Sequence, residues 1–298
     1  VARAITGEAT VNRRFATANA VATPPLATLN GKPRLVKSGA ASPVMLSILM
    51  PAYNEGRTIA YAIGQVLSVT YPCPIELIVI DDGSFDNTAD VLKTIDDPRV
   101  VVTSHPYNRG KGAAILTGLA LVKGTHVVPF DADLEYEPRD LLSLLEPALL
   151  GRSDVVYGSR LFGANTVFQS YRYAMGNKVT TLMANVLFDS YISDLHTCLK
   201  LMPTRLLRDL ILQEQGFGLD TEITAQVLKL GYRPFEVPIS YHSRTHAQGK
   251  KLQWRDGVAC MGILLRVRLQ SERSGHQRRM GNRSMEQHNP DLSEQVGS

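Results

Sequence analysis

Apolar and polar positions alternate in blocks along this chain. Residues 44–50 form a short apolar run that ends in the turn cluster Pro51-Ala52-Tyr53-Asn54-Glu55-Gly56. The run is too short for a helix and predicts a buried strand. From 58 to 69, Ile59, Ile63, Val66 and Leu67 recur at helical spacing. The alternation then repeats. Strands are expected at 75–80, 99–103 and 125–130. Helices are expected at 86–95, at 113–122 and from Pro138 to 150, where proline suits a first helical position. Four strand–helix alternations predict an α/β fold, a mostly parallel sheet with helices on both faces. The handedness of crossovers places the turn after each strand on one edge of that sheet.

Beyond residue 150 the pattern is less regular. A short strand is expected at 154–157, followed by Gly158-Ser159-Arg160. Residues 171–188 predict a long amphipathic helix with Met175, Val179, Leu182, Met183, Val186 and Leu187 as its apolar set. Then come a loop entering a strand at 194–202, helices at 206–212 and 221–230, a strand at 234–237, a basic loop at 241–251 and a helix at 254–269. Residues 1–42 are rich in small and polar residues and read as a flexible extension, with a transit peptide as the alternative. Residues 271–298 are polar and aperiodic and read as a disordered tail. The globular domain is therefore expected at 43–270.

Composition changes this picture little. The chain has 298 residues, 44% of them hydrophobic and 20% charged, as in ordinary globular proteins. The formal charge is +4, too small an excess for a nucleic-acid-binding face. Cys73, Cys198 and Cys260 lack disulfide or metal spacing, which points to a reducing, cytoplasmic compartment. No apolar run approaches the ~20 residues that span a bilayer.

The chemistry lies in the turns. The strand at 125–130 runs into Asp131-Ala132-Asp133-Leu134-Glu135, and a D-x-D turn can face two carboxylates toward one hard divalent cation. Asp81 and Asp82 close the second strand and offer acceptors to a nucleotide; a solvated turn or helix cap is the alternative. Asn108-Arg109-Gly110-Lys111-Gly112 joins glycine, cations and a helix start, a combination that suits phosphate. Its glycines have an equally good reading as a tight helix-start turn. The segment from Tyr241 to Lys251 concentrates Arg244, Lys250 and Lys251, and its His242 and His246 read as surface or phosphate-contacting histidines. The helix at 254–269, with Arg255, Arg266 and Arg268, either packs on the core or lies in a membrane interface.

In order, Pro51 to Glu55, Asp81-Asp82-Gly83-Ser84 with Asp86, Asn108 to Gly112, Asp131-Ala132-Asp133 and Gly158-Ser159-Arg160 resemble the family 2 glycosyltransferases of GT-A fold. The likeness extends over roughly residues 44–270. It is greatest to the polyprenyl-phosphate, dolichol-phosphate mannose synthase-like branch. Asp194 to Lys200 and the segment Arg244 to Lys251 match further elements of that branch. Glu135 stands where the branch often has Gln, and Lys250-Lys251 where Ser-Lys is frequent. The Q-x-x-R-W motif of processive synthases is missing.

The resemblance implies metal-dependent, inverting transfer of a hexose from a nucleotide sugar, of GDP-mannose or UDP-glucose type, to a polyprenyl phosphate. It assigns Mg²⁺ or Mn²⁺ to Asp131, Asp133 and Glu135. It assigns the donor to Pro51, Tyr53, Asn54, Glu55, Asp81, Asp82, Lys111 and Asp131. The acceptor phosphate falls to Arg244, Lys250 and Lys251, and catalysis to Asp133, Arg160 and Arg244. It further implies a peripheral enzyme at the cytoplasmic face of a membrane, alone or with a membrane-protein partner. A hydroxyl acceptor, on a small molecule or a glycan, would need a general base, for which Asp220 and Glu222 are the candidates. A sugar-phosphate nucleotidyltransferase would share the α/β layout and the metal, but it would want a glycine-rich loop where Pro51 to Glu55 stand. A non-catalytic nucleotide-sugar sensor would keep the same donor residues without turnover.

Overall fold

A computed structural model describes residues 44–161, 166–167, 171–243 and 254–270. The expectations for 1–42, 244–251 and 271–298 lie outside the described residues. In chain order the strands are β1 (Leu46–Ala52), β2 (Ile75–Asp81), β3 (Val100–Ser104), β4 (His126–Pro129), β5 (Val156–Ser159), β6 (Thr166–Val167), β7 (Lys200–Pro203), β8 (Phe235–Pro238) and β9 (Tyr241–His242). The helices are α1 (Ile59–Ser68), α2 (Thr88–Lys93), α3 (Lys111–Leu121), α4 (Asp140–Leu149), α5 (Tyr171–Phe188), α6 (Thr204–Asp209), α7 (Leu219–Lys229) and α8 (Trp254–Leu269).

Seven strands make one sheet in the order β3-β2-β1-β4-β7-β5-β8, and β6 pairs with β9 in a second. The first four are parallel, with Ala52 opposite Asp81 and Asp81 opposite Ser104. The turns after β1, β2, β3 and β4 therefore do share one edge. The chain steps outward from β1 to β3 and returns to lay β4 on the other side of β1. Strand order thus reverses between β1 and β4, the place where open α/β sheets bind ligands. β7 runs antiparallel to both β4 and β5, a direction that local pattern does not encode.

Side chains alternate across the sheet, so each strand feeds two cores. Ile48, Met50, Leu77, Val79 and Phe130 pack under α1 and α4. Leu49, Ile78, Ile80, Val127 and Met202 pack under α3, α6 and α7. Gly118 lets α3 approach closely: a Cβ there would lie 2.7 Å from Ile80 Cδ1 and 3.0 Å from Leu49 Cδ2. α4 begins at Asp140 rather than at Pro138, and α6 ends at Asp209 because Leu210 turns extended. No described helix is long and apolar enough to cross a membrane.

α5 forms where expected, but only part of its apolar set faces the core: Met183 and Leu187 pack against it. Its buried side is largely polar, with Asn177, Thr180 and Thr181, beside Ala184 and Phe188. Val179, Leu182 and Val186 point outward. Hydrogen bonds explain the orientation. Asn177 Nδ2 donates to Asp194 Oδ1 (2.9 Å) and Thr181 Oγ1 to Asn177 Oδ1 (3.0 Å). Thr181 Oγ1 also accepts from Leu195 N (3.1 Å), and Thr180 Oγ1 meets His196 Nε2 (2.8 Å). Asp194 is fully buried, and its other partner is Arg160 at the end of β5. Arg160 Nε and NH2 donate to the two carboxylate oxygens at 2.6 and 2.7 Å.

Burial by itself raises the Asp194 carboxyl. The Arg160 guanidinium and the hydrogen bonds from Arg160 and Asn177 outweigh that and hold it at about 2, below the usual 3.8. A depressed carboxylate stabilises the fold fully above the unfolded value and loses that contribution as pH falls through the folded one. About 2 kcal/mol of stability is therefore expected to disappear between roughly pH 4 and pH 2. Asp194→Asn should remove this part of the acid transition in urea titrations at stepped pH. At neutral pH the variant should be about 3–5 kcal/mol less stable, because Arg160 is left buried and unpaired.

Candidate active site

The turn after β1 is laced to the turn after β2. Asn54 takes a left-handed φ of 56°, which asparagine tolerates. Its N–H donates to Ser84 Oγ (2.9 Å), and its Oδ1 accepts from Phe85 N (3.0 Å). Glu55 N donates to Thr88 Oγ1 (2.9 Å) and Gly56 N to Asp86 Oδ2 (3.1 Å). Tyr53 meets Phe85 edge-on at 6.1 Å. Pro51 lies inside β1, opposite Ile80, half-buried. These turns wall an open cleft of about 950 Å³ lined by Asn54, Glu55, Arg57, Asp86, Asp133 and His242, among others. The cleft sits at the strand-order reversal between β1 and β4.

The two aspartates closing β2 do different things. Asp81 Oδ1 accepts from Ser84 N (3.1 Å) and shapes the turn. Asp82 is buried, and its carboxylate accepts from Arg109 N (2.9 Å) and Gly110 N (2.8 Å) and meets His105 Nδ1 (2.7 Å). It fastens the glycine loop. That loop is close-packed as well: a Cβ on Gly110, whose φ is 96°, would lie 2.5 Å from Gln215 O. Ala113 N donates to the same carbonyl at 3.1 Å. Its glycines thus serve backbone packing, and Lys111 is carried to the start of α3.

Lys111 Nζ lies 2.9 Å from Asp131, 3.4 Å from Asp220 and 3.5 Å from Cys198 Sγ. Burial opposes its charge, but Asp131 and Asp220 overcome that and hold its pKa well above the usual lysine value. Lys200 sits on the far side of Asp220 at 3.8 Å, fully buried. Burial pulls Lys200 down despite Asp220. Asp220 is held below the usual carboxylate range: burial raises it, and Lys111 and Lys200 more than reverse this. His196, beside this cluster, is pushed down to about 4 by burial, Arg160 and Lys200, and is neutral at pH 7. Glu222, the other candidate base, is fully buried and fully engaged. It accepts from Gln213 N (2.7 Å), Glu214 N (2.9 Å) and Arg266 NH2 (2.9 Å).

The D-x-D turn splits its acids. Asp131 points to Lys111, whereas Asp133 lines the cleft with one oxygen accepting from Glu135 N (3.0 Å). Just after Asp133, Leu134 sits at φ 62°, an uncommon conformation for such a side chain. Glu135 turns inward, its Oε2 accepting from Tyr241 OH (2.6 Å) and its carbonyl from His242 N (2.9 Å). Among the described residues no three acidic, histidine or cysteine side chains converge into a metal cage. The donor set instead fits a hard cation that takes one or two carboxylates and completes its shell with substrate phosphate. Asp133 is the acid placed for this, with His242 on the same cleft.

The structure therefore gathers Asn54, Glu55 and Asp133 in the cleft, with Tyr53 and Asp81 in the turns that wall it. Asp131 pairs with Lys111. Arg160, expected at a phosphate, is instead spent on Asp194, with its guanidinium 4.9 Å from the Tyr241 ring. Glu135, expected on the metal, accepts from Tyr241 OH. Arg244, Lys250 and Lys251 lie outside the described residues. Arg57 joins the site although the sequence pattern does not single it out; Lys200, the last residue of the Asp194 to Lys200 element, joins it beside Asp220, and His242 joins it on the cleft wall.

Comparison with known proteins fits this geometry. The family model for glycosyl transferase family 2 matches residues 47–211. Glycosyltransferase AglJ of Haloferax volcanii is 27% identical over 72% of this chain and 69% of its own length. A UDP-N-acetylglucosamine–dolichyl-phosphate N-acetylglucosaminyltransferase of Methanococcus voltae is 29% identical over 39% of this chain and about half of its own length (52%). In fold, the chain is similar to glucosyl-3-phosphoglycerate synthase from Mycobacterium tuberculosis, solved with Mn²⁺, UDP and phosphoglyceric acid. That likeness has a TM-score of 0.58 at 20% identity, over 77% of this chain and 80% of the other. The family match covers more than half of the sequence, from β1 through α6, and the chain belongs to the family 2 glycosyltransferases.

Proposed function

We propose that this glycosyltransferase moves a hexose from a nucleotide sugar to a polyprenyl phosphate, with inversion at the sugar carbon and with Mg²⁺ or Mn²⁺ bound. Residues 43–270 form the catalytic domain in this reading, and the enzyme works peripherally at the cytoplasmic face of a membrane. Asn54, Glu55 and Asp81 hold base and ribose, and Tyr53 with Phe85 offers an aromatic edge for the base. Asp133 holds the cation, and His242 lines the same cleft. When bound, the cation neutralises charge on the departing diphosphate. Lys111 holds Asp131, and with it the D-x-D turn, in place. Arg244, Lys250 and Lys251 supply charge for the acceptor phosphate.

The observation that carries the phosphate acceptor is the state of the two candidate bases. A general base works best with a pKa near the operating pH. Asp220 is instead held down between two lysines, and Glu222 is fully buried and bonded to Arg266 and two backbone N–H groups. A phosphate is already an anion and needs no base. The dolichyl-phosphate relative belongs to the same acceptor class. A hydroxyl acceptor is the second reading, favoured by the contact of Asp220 with the Lys111 that binds Asp131.

Three measurements test this. Asp133→Asn should lower turnover by about 10²-fold or more. It should also abolish the Mn²⁺-dependent part of UDP or GDP binding in calorimetry; unchanged binding would remove Asp133 from the metal site. Asp220→Asn should cost less than about tenfold, since loss of a true general base costs ~10²–10⁴-fold. A larger loss with intact donor binding favours the hydroxyl acceptor. Radiolabelled sugar incubated with membrane extract should enter the organic phase; label confined to water-soluble products would sink the lipid acceptor.

A further inference from the structure

The outward face of α5 has no role in the site. Tyr171, Val179, Leu182 and Val186 are all exposed, Leu182 at 63% and Val186 at 74%. Their spacing sets them along one side of the helix. The opposite side cannot be exchanged for it, because Asn177, Thr180 and Thr181 are hydrogen-bonded to the segment from Asp194 to His196. α8 packs beside α5, with Ile263, Leu264 and Val267 meeting Ala184 and Phe188. It too turns apolar residues outward: Val258, Leu265 and Leu269, the last at 80% exposure. Single exposed leucines are ordinary, but two adjoining helices each with an apolar outer stripe mark a contact surface.

Charge selects the occupant. α5 contains Arg172 and Lys178 and no acidic residue, and α8 contains Arg255, Asp256 and Arg268 besides an Arg266 that pairs with Glu214 and Glu222. Lys178 and Arg268 are exposed beside the stripes. Two copies meeting through such faces would bring like charges together. An interface of anionic lipids matches both the apolar stripes and the cations. We infer that the outer faces of α5 and α8 dock the enzyme on an anionic bilayer surface. Docking deepens the peripheral placement proposed above and needs neither donor nor acceptor, so it stands or falls separately from lipid-linked transfer.

The test is co-sedimentation of the full chain with vesicles. Vesicles of phosphatidylcholine with about a third phosphatidylglycerol should pellet the protein, and pure phosphatidylcholine should do so about tenfold less well. A double variant, Leu182→Glu with Val186→Glu, should lower binding to the anionic vesicles by about tenfold or more. Its circular dichroism and its Mn²⁺-dependent UDP or GDP binding should be unchanged, since neither residue touches the cleft or the core. Equal sedimentation of variant and parent overturns the inference. So does a dimer in analytical ultracentrifugation that the double variant dissolves, which would make the face a contact between copies. Vesicle binding without label in the organic phase leaves the docking surface intact and removes only the lipid acceptor.

Discussion

One ammonium group, Lys111 Nζ, sets the terms for the site. It stands between Asp131 from the turn after β4 and Asp220 from the first turn of α7. Lys111 gives these two carboxylates a shared cationic partner. Lys111 reaches that place because Asp82 clamps the loop before it, and because Gly110 lets α3 start against the Gln215 carbonyl. Pinning Asp131 leaves Asp133 as the acid of the D-x-D turn that faces the cleft. The same ion pairs tie the parallel half of the sheet to α7, which packs on its far side.

The same constraint sorts the remaining carboxylates. A buried charge persists where it is paired and hydrogen-bonded. Glu76 is held by Ser47 Oγ, Lys123 N and Gly124 N. Asp82 is held by a loop, Asp194 by Arg160 and Glu222 by Arg266 with two backbone N–H groups. Each of these fastens two segments distant in sequence. Acids held in this way build the edge of the sheet. Asp82 and Asp194 are among them, whereas Asp133 lines the cleft.

This division explains what could be read from sequence. Apolar runs are local, so β1, β2, β4 and the helices between them were legible, as was the shared edge of their turns. Glycine in the Asn108 to Gly112 loop was legible as either a phosphate cradle or a tight turn, and only the nearby Gln215 carbonyl distinguishes these. Partner identity was not legible, because it joins residues far apart: His105 to Asp82, Asp194 to Arg160, Lys111 to Asp220. Nor was the antiparallel course of β7, which depends on which strands flank it. For α5 the period revealed a stripe, but periodicity does not say which side meets the core. Three polar residues with partners inside outweighed three aliphatic ones without.

Glu135 joins the two halves of the site. Burial pushes the Tyr241 hydroxyl well above its usual pKa, so it remains a phenol and donates to Glu135. His242 N donates to the Glu135 carbonyl, and Tyr136 bridges to Tyr241. The D-x-D turn is thereby fastened to β9, and the basic segment carrying Arg244 follows β9 in the chain. A glutamine at this position keeps a side-chain oxygen that can accept the same hydroxyl. Accepting from Tyr241 OH needs an oxygen and no charge, so a Glu135→Gln exchange leaves this tie in place.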